Sequence, residues 1–488
     1  MSTFAPTSDW LWLTVWPIVV AASHVMVALF ASSHVVLTKR DTRSAIGWAG
    51  VIWLTPFFGS FLYFVFGINR IQRRARQLRR GQSAIDRTPG RRHVDEDVLQ
   101  TVLGGDGQHL ARLAKYVSRL TNLAILDGNQ ITPLTSGERA YRQMLAAIDA
   151  AELSVSLMTY IFDNDEAGRE FVAALARAHE RGVHVRVIID DVGSRYTFPS
   201  IKGLLRQHKI PFAAFLPTLI PGKLHYANLR SHRKILVVDG KLGFTGGMNI
   251  RQGHRGEGSH PIRDLHFRVE GPVVEHLRDT FASDWEFAAG ELPDGPEWTA
   301  VLPSAGSSLC RGVADGPDID YDKILLTILG AIGCAQHSLD IVTPYFLPEQ
   351  PLITALNVAA MRGVTVNIFL PEVNNLRLVQ WASTAQLWQV LQRGCRVWLT
   401  PPPFDHSKLM VADGVWSLVG SSNWDARSLR LNFEFNVEVY DQEFAGELLA
   451  LVSERRSVSR EITLAEVDSR PLWKRLRDGI SRLALPYL

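Results

Sequence analysis

Long uncharged apolar segments dominate residues 1–80. Residues 10–37 contain no Asp, Glu, Lys or Arg, and residues 44–68 contain none either. Each segment is longer than the roughly 20 apolar residues that a helix needs to cross a bilayer. Neither a basic n-region nor a small-residue cleavage pattern accompanies them, so we do not expect a removable signal peptide. The pattern predicts an α-helical membrane anchor over residues 1–80.

Basic residues flank both apolar segments, at 39–43 and at 70–80. The longer basic run predicts that the chain after it lies in the cytoplasm, where anionic lipid also attracts it. A simple hairpin would place the shorter run outside. Residues 55–59, with Pro56 and Gly59, are expected to break the second segment into a re-entrant hairpin that keeps both basic loops inside.

The remaining chain alternates between helical and strand-like hydrophobic periods. Residues 81–130 are polar and glycine-punctuated, and we interpret them as a linker. Residues 141–149 and 168–181 have helical spacing, whereas 154–162 and 183–190 are strand-like. The same order returns in the second half, where Arg362-Gly363-Val364 echoes Arg181-Gly182-Val183. This alternation predicts an α/β fold with a largely parallel sheet, in two tandem repeats at 131–290 and 307–460 that form one pseudo-symmetric body.

The C-terminal residues 465–488 have the pattern of an amphipathic helix. Apolar side chains recur at helical spacing among basic residues, namely Leu472, Leu476, Ile480, Leu483 and Tyr487. Two interpretations stay open, because a helix lying on a membrane surface and a terminal helix packed on the domain share this amphipathic pattern.

Charge distribution separates the anchor from the rest of the chain. The 488 residues carry a net charge of +3. Residues 1–100 hold 12 Lys and Arg against 6 Asp and Glu, whereas the remainder holds 40 against 43. A nuclease would carry a basic groove along its catalytic body, so this near-neutral body argues against nucleic acid as a partner. The three widely spaced cysteines predict neither disulfides nor a metal cluster.

One short polar pattern occurs twice. His232-x-Lys234-x4-Asp239 is repeated as His406-x-Lys408-x4-Asp413. After the same gap of six residues, the first copy continues into a glycine turn that ends in Asn249, and the second into one that ends in Asn423. Residues two apart on a strand face the same side, so each histidine would share a pocket with its lysine. The duplication predicts two matched half-sites.

Two imidazoles, two lysines and two asparagines together would make a cationic site suited to a phosphodiester. A neutral imidazole can attack phosphorus to give a phosphohistidine, while a protonated imidazole opposite donates to the leaving oxygen. The residues alone leave open which histidine attacks. Lys234, Lys408, Asn249 and Asn423 would stabilise the non-bridging oxygens. We expect no metal, because each motif offers one histidine and one carboxylate around a lysine that repels cations.

The duplicated motif resembles that of the phospholipase D superfamily. Longer segments are similar to the bacterial cardiolipin synthases, namely Asn228-Leu229-Arg230-Ser231-His232-Arg233-Lys234, Val342-Thr343-Pro344-Tyr345-Phe346-Leu347-Pro348, Asp425-Ala426-Arg427-Ser428 and Asn432-Phe433-Glu434. The resemblance covers almost the whole chain and implies two phospholipase D-like repeats.

The resemblance also implies a role for each site residue. His232 would be the nucleophile and His406 the general acid and base. Asp264 and Glu434 would orient the two imidazoles from behind. The motif aspartates, Asp239 and Asp413, would support the catalytic set through hydrogen bonds without touching substrate.

The resemblance further implies phosphatidyl transfer from one phosphatidylglycerol to another, which gives cardiolipin and glycerol. Phosphatidylglycerol and the bilayer would be the partners, no cofactor would be needed, and the enzyme would sit in the bacterial inner membrane with its catalytic body in the cytoplasm. A hydrolytic phospholipase D that forms phosphatidic acid is the nearest alternative, because the motifs do not distinguish water from a lipid acceptor. A nucleic-acid phosphodiesterase or a non-catalytic scaffold fits less well. No feature predicts the oligomeric state.

Overall fold

The fold was analysed in a computed structural model that divides into two compact units, residues 1–74 and 75–488. It describes residues 12, 15–39, 42–55, 57–67, 99, 103–105, 107–217, 229–256, 258, 260–298, 300–317 and 320–483. Much of the predicted linker, the start of the first apolar segment and Tyr487 therefore lie outside the described residues.

The first unit is helical. Helix α1 (Trp16–Thr38) is, among the described residues, the one helix long and apolar enough to cross a membrane. The second apolar segment is not one continuous helix, because α2 (Thr42–Leu54) ends before the short α3 (Phe58–Leu62), which runs into a π-helical turn. Gly59 packs against the Val51 carbonyl, where a Cβ would clash. The two helices are thus separate, while Pro56 lies outside the described residues and the re-entrant hairpin stays a prediction.

The second unit contains a mixed α/β fold. Its helices are α4 (Ala111–Thr121), α5 (Gly137–Asp149), α6 (Glu166–Glu180), α7 (Ile201–Gln207), α8 (Val274–Ala289), α9 (Lys323–Cys334), α10 (Gln350–Met361), α11 (Arg377–Thr384), α12 (Trp388–Leu391), α13 (Ala426–Arg430), α14 (Gln442–Val458), α15 (Leu464–Asp468) and α16 (Leu472–Leu483). Its strands are β1 (Leu126–Leu134), β2 (Ser154–Thr159), β3 (His184–Asp190), β4 (Phe212–Phe215), β5 (Arg230–Ser231), β6 (Ile235–Val238), β7 (Leu242–Gly246), β8 (Ile262–Arg263), β9 (His266–Glu270), β10 (Ser308–Asp315), β11 (Ser338–Val342), β12 (Phe346–Leu347), β13 (Thr365–Pro371), β14 (Arg396–Thr400), β15 (Phe404–Asp405), β16 (Leu409–Ala412), β17 (Trp416–Gly420), β18 (Trp424–Asp425), β19 (Asn432–Tyr440) and β20 (Arg460–Ile462).

The sheet shows the predicted duplication directly. Within the described residues, sixteen strands form one sheet. One half has the order β1-β9-β7-β6-β2-β3-β4, and the other has the matching order β10-β19-β17-β16-β11-β13-β14. The halves join where β1 pairs antiparallel with β10. Two tandem α/β repeats with pseudo-twofold symmetry are therefore confirmed.

The sheet is mixed, and the prediction of a largely parallel sheet was wrong. Strands β2, β3 and β4 are parallel, as are β11, β13 and β14, but the strands nearer the junction are antiparallel. The cause is a hairpin after each motif strand, where Asp239-Gly240 and Asp413-Gly414 adopt positive φ angles. Asp-Gly favours such tight turns.

One helix lies where the sequence predicted a linker. Helix α4 falls within residues 81–130, and its Leu113, Ala114 and Val117 are buried in the core of the second repeat. β1 also begins at Leu126, before the predicted start at 131. The i, i+4 spacing of Leu113 and Val117 was a local helical signal that the polar composition around it obscured.

A buried ion pair lies beside the junction of the two repeats. Arg311 on β10 contacts Glu438 on β19, and both side chains are fully buried. Arg311 also donates to the carbonyls of Ala114 and Leu123, which ties the end of α4 to the sheet. Glu438 further accepts a hydrogen bond from Trp416 at 3.1 Å.

We predict that Glu438→Gln destabilises the protein by about 3–5 kcal/mol, because it leaves the Arg311 charge buried without its counter-ion. The measurement is the free energy of unfolding by urea in detergent. The matched control is Glu461→Gln, which breaks a half-exposed pair with Arg396 and should cost less than about 1 kcal/mol. Equal effects of the two substitutions would contradict the prediction.

Candidate active site

Both motif histidines lie at the start of a buried strand. His232 and Lys234 connect β5 to β6, and His406 and Lys408 connect β15 to β16. All four residues are at most 8% exposed. In the first copy, His232 and Lys234 both lie beside the ring of Tyr160.

The residue between each histidine and lysine points away and holds the strand. Arg233 donates two hydrogen bonds to Asp284 on α8, at 2.6 and 2.7 Å, and one to the carbonyl of Asp315. In the other copy Ser407 accepts a hydrogen bond from Arg455 at 3.0 Å. These buried contacts fix the motif strands without occupying the site.

Each histidine receives its carboxylate from the other repeat. Short β5 pairs with β19, and the His232 N–H donates to the Phe433 carbonyl at 2.8 Å. Short β15 pairs with β8, and the His406 N–H donates to the Arg263 carbonyl at 2.7 Å. The next residue on each partner segment is the carboxylate, Glu434 or Asp264.

The resulting contacts are direct hydrogen bonds. Nδ1 of His232 lies 3.0 Å from Glu434, and Nδ1 of His406 lies 2.7 Å from Asp264. Nδ1 of His232 also lies 3.1 Å from the carbonyl of Ser421. A carbonyl only accepts, so this Nδ1 carries hydrogen and the lone pair lies on Nε2, on the opposite side of the ring. That tautomer suits a nucleophile at Nε2.

Glu434 is held in its ionised form. Ser421 donates to it at 2.5 Å, Asn432 donates at 3.2 Å, and Ser428 donates as well. Burial alone would raise its pKa, but the hydrogen bond from His232, the charge of Lys234 and the hydrogen bond from Ser421 outweigh burial and lower the pKa of Glu434. Burial lowers the pKa of His232 in turn, so this imidazole is neutral near pH 7.

The other half-site is built differently. Burial raises the pKa of Asp264 to about 6. Besides its contact with His406, this carboxylate accepts a hydrogen bond from the Leu265 N–H at 2.8 Å. Gly247 occupies the position that Ser421 has in the second repeat, and a Cβ there would clash with the Asp264 carboxylate. The two glycine turns therefore differ for a steric reason.

A second histidine lies beside Asp264. His254, on a 3₁₀ turn at Gln252–Arg255, is 2% exposed, with its Nδ1 3.4 Å from the Asp264 carboxylate and its ring 5.7 Å from that of His406. Burial lowers the pKa values of both His254 and His406 well below the usual range. Sequence reasoning missed His254, because a lone histidine in a loop has no motif or periodicity to mark it.

Ligating atoms of His254, Asp264 and His406 lie within 4.8 Å of one another, which is close enough for a metal ion. The charges of Lys408 and Lys234, which also lower the pKa of His406, oppose a cation there. The expectation that the enzyme needs no metal stays a prediction.

The two lysines are strongly perturbed. Burial lowers the pKa of Lys234 to about 7 and that of Lys408 to about 8. The charge of each lysine in turn lowers the pKa values of both histidines. Nζ of Lys234 donates to the carbonyl of His232 at 2.6 Å, and Nζ of Lys408 to that of His406 at 2.5 Å. Lysines with lowered pKa values indicate a functional site. A bound anion would be favourable there, because it stabilises the charged forms of both lysines.

A tyrosine ring lies beside each histidine, which sequence reasoning had not assigned to the site. The ring of Tyr160 is 5.2 Å from that of His232, and the ring of Tyr345 is 6.3 Å from that of His406. Nζ of Lys234 lies 5.6 Å from the Tyr160 ring centre. The Thr-Tyr and Thr-Pro-Tyr segments were the available signal.

Asn249 and Asn423 follow their glycine turns and are buried. Oδ1 of Asn249 accepts from the Ile161 N–H at 3.1 Å, which leaves its Nδ2 as the donor for a ligand. Oδ1 of Asn423 is buried without a hydrogen-bond partner among the described residues.

The motif aspartates lie at the far ends of the motif strands. Asp239 accepts from the backbone N–H groups of Leu153 and Ser154, at 2.7 and 2.9 Å. Asp413 accepts from the N–H of His337 at 2.7 Å and contacts His109 at 2.6 Å. These bonds hold the turn that follows each motif strand.

The chain is similar to known cardiolipin synthases along almost its whole length. Residues 144–285 and 328–455 match the family described as cardiolipin synthase, phospholipase D-like domain, and residues 26–67 match the phospholipase D-nuclease N-terminal family. Cardiolipin synthase A of Pseudomonas entomophila is 31% identical over 95% of this chain and 96% of its own. The major cardiolipin synthase ClsA of Bacillus subtilis is 30% identical over 96% of this chain and 99% of its own.

A solved structure shares the fold. The crystal structure of a phosphatidylserine synthase from Haemophilus influenzae matches with a TM-score of 0.59 and 16% identity, over 77% of this chain and all of that one. Fold and duplicated site together define a phospholipase D-like protein. The chain belongs to the bacterial cardiolipin synthase family, which confirms the resemblance seen in the sequence.

The lysine pKa values predict an alkaline loss of activity. As pH rises through about 7 to 8, free enzyme loses the charges of Lys234 and Lys408. We expect kcat/KM to fall over this range, because kcat/KM reports the free enzyme and neutral lysines bind a phosphodiester poorly. The fall in kcat should come at higher pH, since a bound anion raises both pKa values. The measurement is a pH profile with detergent-dispersed phosphatidylglycerol, and a kcat/KM that shows no fall up to about pH 9 (roughly one unit beyond the higher value) would contradict it.

Proposed function

We propose that this protein is a cardiolipin synthase that transfers a phosphatidyl group between two phosphatidylglycerol molecules through a phosphohistidine. The observation that carries the proposal is the pair of buried imidazoles, each hydrogen-bonded to a carboxylate and accompanied by a lysine. Membership of the cardiolipin synthase family is the reason to take a phospholipid as the phosphodiester substrate.

In the first step Nε2 of His232 attacks phosphorus, and the bond from phosphorus to the glycerol oxygen breaks. His406 donates its proton to that oxygen, and glycerol leaves. The phosphodiester charge between the imidazoles favours the protonated form of His406 against the effect of burial. A difficult displacement is thus divided into two easier ones.

In the second step the hydroxyl of another phosphatidylglycerol attacks the phosphohistidine. His406, now neutral, takes the hydroxyl proton, and the bond from phosphorus to Nε2 breaks. Cardiolipin leaves and both imidazoles return to their starting states. One phosphodiester replaces another, so neither nucleotide nor redox cofactor enters the balance.

The different surroundings of the two carboxylates, Glu434 and Asp264, support His232 as the nucleophile. The side chains that donate to Glu434 keep it ionised, so it can stabilise the positive charge that His232 gains on attack. Asp264 has a pKa near 6 and a neighbouring histidine, which suits a half-site that exchanges a proton in each step.

Lys234, Lys408, Asn249 and Asn423 would bind the non-bridging oxygens. A preorganised donor of this kind contributes about 3–4 kcal/mol to transition-state stabilisation. Asp239 and Asp413 would act at a distance, by fixing the turns after the motif strands. Asp264 and Glu434 would position the imidazoles.

The location we propose is the bacterial inner membrane. Helix α1 is long enough to span it, and the basic run at 70–80 favours a cytoplasmic catalytic body. The partners are then phosphatidylglycerol and the bilayer. Hydrolysis to phosphatidic acid is the second candidate, since water could replace the lipid hydroxyl.

Lipid products from purified full-length protein test the proposal. We expect phosphatidylglycerol vesicles to give cardiolipin and an equal amount of glycerol, with a rate about a hundredfold or more lower in both His232→Ala and His406→Ala. A chelator should leave the rate unchanged, because no metal takes part. Phosphatidic acid as the main product would favour the hydrolase, and full activity in either histidine variant would contradict the mechanism.

A further inference from the structure

The C-terminal helix α16 exposes the side that an isolated globular domain would bury. Leu472, Trp473, Leu476, Ile480 and Leu483 are 56–76% exposed. They cover one side of the helix. The polar residues Asp478 and Ser481 are buried on the opposite side, at 1% and 6% exposure.

Specific contacts hold α16 in this orientation. Asp478 accepts from Arg470 and Arg477, each at 2.6 Å. The Arg477 guanidinium also lies 4.3 Å from the ring centre of Trp381 on α11. The polar side of α16 is therefore fixed against the body, and its apolar side is left outward.

Helix α11 extends the apolar surface toward the active site. Leu376 and Leu378 are 50% and 52% exposed. Asn375, which precedes them, accepts a hydrogen bond from the hydroxyl of Tyr345 at 3.0 Å. The Tyr345 ring lies beside His406. Tyr345 thus connects this surface to the His406 half-site, because it contacts both Asn375 and His406.

A second connection leads from the other half-site. Tyr160 beside His232 lies within 3.4 Å, hydroxyl to hydroxyl, of Tyr196. Tyr196 is 56% exposed, and Phe198 two residues on is 99% exposed. Exposed apolar side chains therefore follow both histidines toward solvent.

The charge of this region complements anionic lipid. Helix α16 carries four basic residues and one acidic residue, and Lys474 and Arg475 are exposed. Basic side chains flanking an apolar stripe favour the interface of an anionic bilayer, where the apolar groups enter the acyl boundary.

We propose that Phe198, Leu376, Leu378 and the apolar side of α16 form a lipid-docking surface. It seats the active-site entrance on a bilayer that contains anionic phospholipid, so that both lipid substrates reach the two histidines without crossing water. The inference rests on the proposed function, since it assumes a lipid substrate.

Activity in two substrate formats tests the surface. In phosphatidylglycerol vesicles, full-length Leu476→Glu/Ile480→Glu should make cardiolipin about tenfold or more slowly, because two charges replace apolar groups at the interface. With short-chain phosphatidylglycerol dispersed in detergent, the rate should stay within about twofold of the unsubstituted enzyme, since docking is not needed there. The matched control is Val301→Glu/Met361→Glu, at positions 90% and 69% exposed elsewhere.

The outcomes separate the two proposals. Equal loss in both formats, or no loss in vesicles, would overturn the docking surface. The same loss in the control variant would also overturn it. Absence of cardiolipin from the unsubstituted enzyme in both formats would instead refute the proposed function.

A fluorophore at position 480 gives an independent reading. The protein for this test carries Cys334→Ala, which removes the partly exposed native thiol, and Ile480→Cys, which takes the fluorophore. We expect spin-labelled acyl chains in phosphatidylglycerol vesicles to quench its fluorescence. No quenching would overturn the proposal. Efficient disulfide cross-linking of two copies through position 480 would also overturn it, because the occupant would then be a second chain.

Discussion

The active site depends on two hydrogen bonds that cross between the repeats. His232 of the first repeat bonds to Glu434 of the second, and His406 of the second bonds to Asp264 of the first. Short parallel strand pairs set both contacts, so neither repeat alone holds a complete half-site. Each imidazole therefore depends on the other repeat for its orientation and charge balance.

Burial makes this arrangement effective. Histidines, lysines and carboxylates at low exposure interact strongly with one another, and burial makes the lysine charges costly enough to lower their pKa values to about 7 and 8. A phosphodiester placed among them relieves that cost. The carboxylates break the symmetry, since Glu434 is clamped by hydroxyl donors whereas Asp264 lies beside His254. Two halves of similar fold can thus perform unlike roles.

Sequence patterns predicted what is local or duplicated. The two α/β repeats, the motif strands and the pairing of each histidine with a lysine follow from periodicity and repetition. The antiparallel strands near the junction were missed, because strand direction depends on long-range pairing that local pattern does not contain. His254, Tyr160 and Tyr345 reach the site through tertiary contacts. Helix α4 was hidden by the polar composition of its neighbours.

A phosphatidyl group bound covalently to one histidine would identify the nucleophile of the two-step mechanism. The enzyme is mixed with short-chain phosphatidylglycerol, and the reaction is quenched in alkali. The protein is then digested, and mass spectrometry detects any phosphatidyl group on histidine. We expect the adduct on His232, and we expect it to form more slowly in Glu434→Gln, which loses the carboxylate that stabilises positive charge on His232. An adduct on His406, or turnover with no adduct on either histidine, would contradict the assignment of the two crossed half-sites.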